Sequence, residues 1–403
     1  MEIEFYTVLN IVLIIAGVMF LIPCLVFFVE CLAAFVSSSS TLNLDQINRP
    51  VTTVLIPAHN EAAQIQEVID GLLPQLTQQD RVLVIADNCH DNTAELARAK
   101  GVEVLERTHL TNRGKGYALD YAMQHLHQQP PEAVVILDGD CIMQPGTITN
   151  ITRQAIATGR PVQSTYLMDQ PEETSLKDQI SMFSLKVKNL VRLMGLNRLG
   201  WHSLLTGSGM AFPWSLISQV SLAGSKTTDD MQLTVDLALA GSTPIFCEQA
   251  MVVGRLMKDQ DAQSQRSRWE HGHLEMIGVE VPRLLKAFVT TGSLPALQLA
   301  LDILIPPLSL LVITWSAMIL FVTVAFISGK IAIAPLLITS LAGVFLLSGV
   351  FLAWSKFGRS DLSLKNLLAI PFYILGKIPI YLKFLTKPQS RWLKTERDLP
   401  ENN

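Results

Sequence analysis

The stretch AVVILDGD, residues 133–140, decides the fold of the central part of the chain. A short apolar run rich in β-branched side chains ends in two carboxylates, Asp138 and Asp140, which one glycine separates. A run of this kind is typical of a fully buried strand, and glycine allows a tight turn after it. The stretch therefore predicts a buried strand with two carboxylates at its carboxyl end.

Three similar runs precede this strand, and helical patterns lie between the runs. The strands are VTTVLIP (51–57), RVLVIAD (81–87) and VEVLE (102–106). We expect Asn60 to cap a first helix with apolar positions at Ile65, Val68, Ile69 and Leu72, and Gly101 to close a second helix, residues 91–101. A third helix follows within 113–126. Strands that alternate with helices predict a parallel sheet with right-handed crossovers.

Polar residues collect directly after three of these strands. They are His59, Asn60 and Glu61 after the first, Asp87 and Asn88 after the second, and the two aspartates of 133–140 after the fourth. Turns favour Asn and Asp in any protein, but ligands of open α/β sheets bind beyond the carboxyl ends of the strands. Three polar strand ends on that edge therefore indicate a binding site.

Two nearby motifs indicate which ligand this edge would bind. Carboxylates at positions i and i+2 suit a hard divalent cation, Mg²⁺ or Mn²⁺, that also contacts phosphate oxygens. In NRGKGYAL (112–119), glycines expose backbone N–H groups, and Arg113 and Lys115 add positive charge before a helix. This stretch is either a surface turn or a diphosphate cradle. It does not have the spacing of a Walker A loop.

The stretch KTTDDMQLTVDLALAG (226–241) predicts a helix that begins near Asp229 and Asp230 and ends at Gly241. Acidic residues in a first turn often only stabilise the helix. For adjacent carboxylates near a metal–diphosphate site, general-base catalysis is the sharper hypothesis.

The composition is that of a membrane protein rather than a nucleic-acid-binding protein. The 403 residues carry a net charge of −4, which argues against a nucleic-acid partner. Uncharged apolar runs extend from Phe5 to Val29, from Ile303 to Ile327 and from Ile331 to Trp354. Each exceeds the roughly 20 residues needed to cross a bilayer. The first favours an uncleaved anchor over a signal peptide, because it is long and follows an acidic start. The other two predict a helical hairpin.

A fourth apolar segment, Leu367–Leu385, contains Lys377, Lys383 and two prolines. A lysine near the centre of a span would cost a few kcal/mol, so we expect an interfacial helix instead. Basic residues follow the hairpin and mark the tail, at Lys356, Arg359, Lys365, Lys387, Arg391, Lys394 and Arg397. The positive-inside rule then places the N-terminus outside and the middle and tail in the cytoplasm.

Just before the hairpin, QRSRW (265–269) places Gln265, Arg268 and Trp269 at helical positions i, i+3 and i+4, which lie on one side of a helix. Glutamine can hydrogen-bond, arginine can pair with a phosphate, and tryptophan offers a flat face for stacking. By itself the pattern leaves a solvated face, a metal site, a basic anchor and an active-site segment open, and the resemblance given next favours the last.

Seven motifs in order carry a resemblance to a known family: PAHNE, ADNCHDNTAE, NRGKGYAL, DGD, TGSGMAF, TDD and QRSRW, over roughly residues 50–275. The chain resembles the membrane-integrated family 2 glycosyltransferases. These include cellulose, hyaluronan and poly-N-acetylglucosamine synthases and ceramide glucosyltransferase-like relatives. Where the family usually has Glu-Asp before the later helix, this chain has Asp229-Asp230.

The resemblance implies an α/β GT-A fold, with a Rossmann-like sheet and transmembrane helices at both ends, that binds a UDP-sugar. By position, the nucleotide-sugar contacts would be Pro57, His59, Asn60, Glu61, Asp87, Lys115 and Asp138. Asp140 would hold Mg²⁺ or Mn²⁺. Gly207, Ser208, Gly209, Gln265, Arg268 and Trp269 would lie at the acceptor and diphosphate. Asp230, with Asp229 beside it, would be the catalytic base of an inverting transfer.

We therefore predict five segments: a transmembrane helix (1–36), a cytoplasmic GT-A domain (50–255), the QxxRW segment with interfacial helices (256–295), two transmembrane helices (296–356), and an interfacial helix with a basic tail (357–403). The protein would be an integral inner- or plasma-membrane enzyme that transfers sugar to a saccharide or lipid-linked acceptor for polysaccharide or glycolipid synthesis. Three spans are few for a secretion channel, which leaves a homo-oligomer or an export partner open.

Other functions remain open at this stage. The enzyme could add one sugar to a lipid such as ceramide or diacylglycerol, since the QxxRW motif occurs in both processive and single-transfer enzymes. A nucleotidyltransferase would share the acidic α/β site but would need neither QxxRW nor membrane helices. A non-catalytic nucleotide-binding membrane scaffold would need neither Asp140 nor Asp230.

Overall fold

The structure is a computed structural model that describes residues 2–37, 43–169, 175–224, 228–255 and 259–386. These residues divide into two compact units. The sheet unit comprises the described residues within 43–169 and 201–272, and the helical unit comprises those within 2–37, 175–200 and 273–386. The basic residues expected in the tail, from Lys387 onward, lie outside the described residues.

The sheet unit is built on one eight-stranded sheet, in the order β3-β2-β1-β4-β7-β6-β8-β5. Its strands are β1 Thr52–Ala58, β2 Arg81–Asp87, β3 Glu103–Arg107, β4 Ala133–Ile136, β5 Cys141–Met143, β6 Val162–Met168, β7 Met210–Pro213 and β8 Ile245–Gly254.

The four strands predicted from sequence form a parallel half-sheet, with β1 between β2 and β4 and β3 outside β2. The parallel arrangement predicted for these four strands is confirmed, and the second half of the sheet, for which no strands were predicted, is mixed. There β7 is antiparallel to both β4 and β6, β5 is antiparallel to β8, and β6 and β8 run parallel. The fourth strand also ends earlier than AVVILDGD suggested, at Ile136, so that both aspartates lie in the turn beyond it.

The helices, in chain order, are α1 Glu2–Ala33, α2 Ile65–Leu72, α3 Thr93–Ala99, α4 Lys115–Leu126, α5 Thr147–Thr158, α6 Leu176–Lys186, α7 Leu193–Arg198, α8 Trp214–Ile217, α9 Asp229–Leu239, α10 Asp259–Thr291, α11 Leu294–Ile303, α12 Leu308–Ile327, α13 Ile333–Ala353, α14 Leu364–Leu368, α15 Ile370–Leu375 and α16 Ile378–Thr386. Short 3₁₀ turns occupy Leu44–Gln46 and Leu73–Gln75, and π-helical turns occupy Val187–Arg192 and Trp354–Gly358.

Helices cover both faces of the parallel half-sheet, which explains why its inner strands β1, β2 and β4 are apolar along most of their length. Successive side chains of a strand point to opposite faces. Val54 and Ile56 of β1 therefore pack in one buried cluster with α2, α3 and α5, while Leu55 packs in another with α4. Strands buried on both faces read as continuous rather than alternating apolar runs.

The first helix begins later than predicted. Asn60 does not cap it, since the helix starts at Ile65 after Gln64. Asn60 instead adopts a left-handed conformation with φ 57°, and its side-chain oxygen accepts a hydrogen bond from the backbone N–H of His90. The four apolar positions predicted for the helix are buried, and Gly101 follows α3 with φ 77°, as expected of a closing glycine.

The helical unit contains the apolar segments. Among the described residues, three helices are long and apolar enough to cross a membrane: Glu4–Ala33, Leu308–Ile327 and Ile333–Gly358. The last two form the expected hairpin, with its turn at 328–330. The segment 367–385 lies in the short helices α14, α15 and α16, none of which is long enough to span a bilayer.

The compact units of the structure differ from the predicted domain bounds within the catalytic domain. Residues 175–200, within the predicted catalytic domain 50–255, cluster instead with the apolar helices. The reason is a set of contacts from this insert, which carries α6 and α7. Lys186 pairs with Asp361, and Gln179 accepts a hydrogen bond from Asn366. The sequence contains no local signal for pairings between residues so far apart in the chain.

Candidate active site

The two carboxylates beyond β4 lie at the centre of the candidate site. The backbone N–H of Asp138 donates to Ser208 Oγ at 3.1 Å. The carboxylate oxygens of Asp138 and Asp140 and the sulfur of Cys141 lie within 4.8 Å of one another. Gly139 allows this turn to pack against the end of β1, because a Cβ there would lie 3.1 Å from Glu61 Cγ. The turn thus presents a compact group of potential metal ligands.

Lys115, the first residue of α4, connects this turn to the loop before β7. Its ammonium group donates to Asp138 Oδ1 and, at 2.5 Å, to the carbonyl oxygen of Gly207. Burial by itself lowers the pKa of Lys115, but the charges of Asp138 and Asp230 outweigh it and raise the pKa overall. The lysine therefore remains a cation at neutral pH, as a diphosphate ligand must.

The loop 206–209 brings its backbone close to both charged groups. Gly207 and Gly209 have φ of 92° and 69°, a region that favours glycine. A Cβ on Gly207 would lie 3.5 Å from Asp230 Oδ2 and 3.8 Å from Lys115 Nζ. A Cβ on Gly209 would lie 2.1 Å from Ser164 Oγ. At Gly207 the positive φ favours glycine although a Cβ would have room, whereas at Gly209 both the positive φ and the contact with Ser164 exclude a side chain.

Asp229 and Asp230 form the first turn of α9, as the sequence predicted. One oxygen of Asp230, Oδ1, accepts the backbone N–H of Met231 at 2.9 Å, while Oδ2 lies near Gly207. Asp229 lies beside Gly224, where a Cβ would be 3.5 Å from Asp229 Oδ1. The structure thus brings Asp230, Lys115, Asp138 and the glycine loop together at one edge of the sheet.

The predicted nucleoside contacts surround the ends of β1 and β2. The imidazole Nδ1 of His59 lies 2.7 Å from the Asp87 carbonyl oxygen, and the backbone N–H of Glu61 donates to Thr93 Oγ1 at 2.8 Å. Pro57 lies within β1, next to these residues. Asp87 is buried and forms a 2.5 Å ion pair with Arg107, the last residue of β3.

Arg107 links that end of the site to the glycine-rich loop of the predicted diphosphate cradle. Its second amino group donates to the carbonyl oxygen of Asn112 at 2.8 Å, and its guanidinium lies 5.8 Å from the centroid of the Tyr117 ring. One buried cation therefore fixes the end of β2, the loop before Lys115 and the first turn of α4.

Gln265, Arg268 and Trp269 lie on α10, within the part of that helix that clusters with the sheet. All three are half-buried, and burial lowers the pKa of Arg268. Their spacing on a helix places them on a common side. Their proposed contacts with diphosphate and acceptor remain a prediction.

A family model described as "Glycosyltransferase like family 2" matches residues 49–272, more than half of the chain. The chain belongs to this family. It is a glycosyltransferase, and the candidate site described above lies within the matched residues. A search of the curated proteins by sequence found no match.

One solved structure supports this fold, and a second is reported only as a weaker similarity. The mannosyltransferase PcManGT from Pyrobaculum calidifontis, in complex with GDP-Man and Mn²⁺, superposes with a TM-score of 0.57 at 18% identity, over 94% of this chain and 99% of that one. A glucosyl-3-phosphoglycerate synthase from Mycobacterium tuberculosis, in complex with Mn²⁺, UDP and phosphoglyceric acid, gives a TM-score of 0.37 at 18% identity, over 55% and 78%. The sheet unit of this glycosyltransferase has the GT-A fold.

Among the potential metal ligands of the glycosyltransferase, the two aspartates Asp138 and Asp140 fit a hard divalent cation. Burial, followed by the charge of Asp138, raises the pKa of Asp140 to about 6. A cation beside the two carboxylates would offset that repulsion. Cys141 does not fit the same ion, because Mg²⁺ and Mn²⁺ prefer oxygen ligands and thiolates suit softer metals. The protonated sulfur instead donates to Asp140 Oδ1 at 3.3 Å.

Sequence reasoning missed two residues of the glycosyltransferase site. Arg107 lies one position beyond the predicted strand 102–106. A basic residue directly after a strand, where ligands of such sheets bind, could have been recognised in the sequence as a candidate site residue. Gln163, on β6, is fully buried and hydrogen-bonds the loop 206–208. Nothing in its local sequence distinguishes it from other polar residues.

Proposed function

We propose that this glycosyltransferase moves a sugar from a UDP-sugar to a saccharide or lipid-linked acceptor at the cytoplasmic membrane face, with inversion at the anomeric carbon. One observation carries the proposal. The ammonium of Lys115, the carboxylates of Asp138 and Asp140, and the carboxylate of Asp230 meet around the loop 206–209. A diphosphate ligand, metal ligands and a base are the groups that such a transfer requires.

On the donor side, Lys115 binds the diphosphate and stabilises the negative charge that grows on it as the glycosidic bond breaks. Asp138 and Asp140 would hold Mg²⁺ or Mn²⁺, and the archaeal mannosyltransferase of the same fold contains Mn²⁺. When bound, the cation would neutralise charge on the diphosphate. Asp87 receives the base of the nucleotide, and the Arg107 ion pair holds that carboxylate in place.

On the acceptor side, Asp230 accepts the proton of the attacking hydroxyl. The Met231 N–H orients its carboxylate through Oδ1, and this leaves Oδ2 facing the loop at Gly207. Gly207, Ser208 and Gly209 border the acceptor because their backbone lies between the base and the donor-binding lysine. Gln265, Arg268 and Trp269 of α10 would contact the acceptor end and the diphosphate.

The membrane part of the proposal rests on the helical unit. Three of its helices are long and apolar enough to span a bilayer. The broken segment α14–α16 has exposed leucines at Leu368, Leu375 and Leu382, as expected of an interfacial segment. A membrane-bound acceptor, such as a glycolipid or a growing polysaccharide, would suit an enzyme that these helices anchor.

A second candidate donor is GDP-mannose, because the archaeal structure with a TM-score of 0.57 contains GDP-Man. Detergent-purified protein is therefore given UDP-glucose, UDP-N-acetylglucosamine, UDP-galactose or GDP-mannose with Mg²⁺ or Mn²⁺. Each donor is tested with and without ceramide, diacylglycerol and oligosaccharide acceptors, and the products are sized. We expect transfer from a UDP-sugar. Transfer from GDP-mannose alone would replace the donor assignment, and a long polymer rather than a single added sugar would establish processivity.

A further inference from the structure

The ladder between β6 and β7 is unusually short. Only Val162 and Gln163 pair in register with β7, opposite Ala211 and Met210. One step further, the backbone N–H of Ser164 donates to the carbonyl oxygen of Gly209 at 3.0 Å. Beyond that point the residues 206–208 leave the strand and become the glycine loop of the active site. Their backbone groups therefore need partners other than a neighbouring strand.

The side chain of Gln163 supplies those partners. Its amide nitrogen donates to the carbonyl oxygens of Ser208 at 2.9 Å and Ser164 at 2.8 Å. Its amide oxygen accepts the backbone N–H of Thr206 at 2.9 Å. The residue has no exposed surface, so each of these bonds lies in a low-dielectric environment where its loss leaves a polar group unsatisfied.

The loop that Gln163 holds is the one that contacts both halves of the site. The Gly207 carbonyl accepts from Lys115, and Ser208 Oγ accepts from the Asp138 backbone N–H. The Gly207 backbone also lies against the carboxylate of Asp230. A shift of this loop would therefore change the distance between Asp230 and the groups that would bind the donor, Lys115 and Asp138. The side chain of Gln163 is itself bonded to none of these three residues.

We propose that Gln163 is a positioning residue for the transfer reaction. It acts through the backbone of 206–208 to hold the acceptor loop between Asp230 and Lys115. The inference rests on the proposed function, because it assumes that the loop borders the acceptor. Well-oriented reactants gain large rate factors that small misplacements lose. A loosened loop should slow sugar transfer more than it weakens donor binding, and it should admit water to the donor.

The test compares Gln163→Glu and Gln163→Met with wild type. Both substitutions retain the approximate shape, but the carboxylate cannot donate to the two carbonyls and the thioether cannot replace either type of bond. The control is Thr152→Val on α5, where a fully buried hydroxyl donates only within its own helix, to the carbonyl oxygen of Ile148 at 2.7 Å.

The readout is the ratio of sugar transfer to donor hydrolysis, measured with the donors and acceptors of the panel above. This ratio does not depend on the fraction of folded protein. Calorimetric titration of UDP and Mn²⁺ gives donor-site affinity separately. We expect the ratio to fall about tenfold or more in both Gln163 variants, while UDP affinity changes less than about threefold and the Thr152→Val ratio stays at the wild-type value.

The outcomes separate the two proposals. If wild type transfers sugar and the Gln163 variants keep its ratio, with loss only of folded protein, the positioning role is wrong and the proposed function stands. If wild type uses none of the donors, the proposed function is wrong and the positioning role falls with it. A Thr152→Val ratio as low as that of the Gln163 variants would mean that any buried polar change has this effect, and would also overturn the role.

Discussion

Two clusters of charged residues, one in each unit, differ in how the cation contacts the carboxylates. In the helical unit, Arg192 lies between two carboxylates that are almost fully buried. Its Nε donates to Glu30 at 2.6 Å, and its Nη2 donates to the carboxylate and, at 3.0 Å, to the carbonyl oxygen of Asp302. In the part of the sheet unit that the structure describes, the ammonium of Lys115 donates to Asp138 and lies near two further carboxylates, those of Asp140 and Asp230.

This difference leads us to interpret the first cluster as structural and the second as part of the candidate site. Arg192 is a planar group that donates to both carboxylates at once. Burial lowers its pKa, but the two carboxylates outweigh burial and raise the pKa overall. At the candidate site, burial and then the charge of Asp138 raise the pKa of Asp140 to about 6. A divalent cation beside these carboxylates would offset their repulsion.

The largest expected effect follows from removing the base. Asp230→Asn should lower turnover by about 10²–10⁴-fold, because the amide has the same shape but cannot accept the proton of the attacking hydroxyl. UDP affinity should change little. Turnover is measured in the transfer assay, and affinity by calorimetric titration.

The matched control is Asp236→Asn, an exposed residue on the same helix. Its carboxylate accepts hydrogen bonds from the neighbouring Gln232, so the turnover of this variant should match wild type. If Asp230→Asn retained wild-type turnover, another group would have to be the base.

Breaking the structural cluster should affect stability rather than chemistry. Arg192→Met leaves two buried carboxylates without their cation, which typically costs about 3–5 kcal/mol. We expect a strongly lowered unfolding temperature in detergent, while the donor KM of the protein that remains folded stays near the wild-type value.

The triple variant Arg192→Met, Glu30→Gln, Asp302→Asn removes all three charges and should recover much of that stability. A triple variant no more stable than Arg192→Met would show that the uncompensated carboxylates are not what destabilises that variant, and the contrast with the candidate site would fail.

A metal-ligand change should come next in size. Asp140→Asn should lower turnover by about 10²–10³-fold, the usual effect of losing one electrostatic contact at a reacting group, and should raise the Mg²⁺ or Mn²⁺ concentration needed for half-maximal activity. Activity is measured as a function of cation concentration after treatment with a chelator.

Cys141→Ala is the control for this change. A hard cation binds carboxylate oxygens in preference to this sulfur, so the cation dependence should not move even if the enlarged cavity lowers stability. A shift in cation dependence for Cys141→Ala equal to that for Asp140→Asn would make the sulfur a ligand and contradict the assignment.

The smallest expected effect is that of removing an exposed ion pair, and it serves as the reference for the buried one. Arg98 and Glu106 form a 2.5 Å ion pair on the surface of the sheet unit, where both side chains are about half exposed. Arg98→Ala should change the free energy of unfolding by less than about 1 kcal/mol, and its effect should shrink as salt is added. Thermal unfolding at low and high salt measures both. A loss comparable to that of Arg192→Met would mean that burial does not set the difference between these ion pairs.

The sequence by itself determined the parallel half-sheet, the three long apolar helices and the placement of the candidate-site residues at the ends of strands. These features depend on local patterns: apolar runs with turn residues after them, glycine at helix ends, and run lengths that match a bilayer. The resemblance to family 2 glycosyltransferases added the expected roles of Lys115, Asp140 and Asp230, and the structure brings these residues close together.

Only the tertiary structure decided the antiparallel half of the sheet, the assignment of residues 175–200 to the helical unit, and the partners of Arg107, Gln163 and Arg192. Each of these rests on contacts between residues distant in the chain: Gln163 meets Ser208, and Arg192 meets both Glu30 and Asp302. A local pattern fixes which face of an element is apolar. It does not fix which distant polar group will satisfy a buried amide or guanidinium, because that depends on how all the elements pack together.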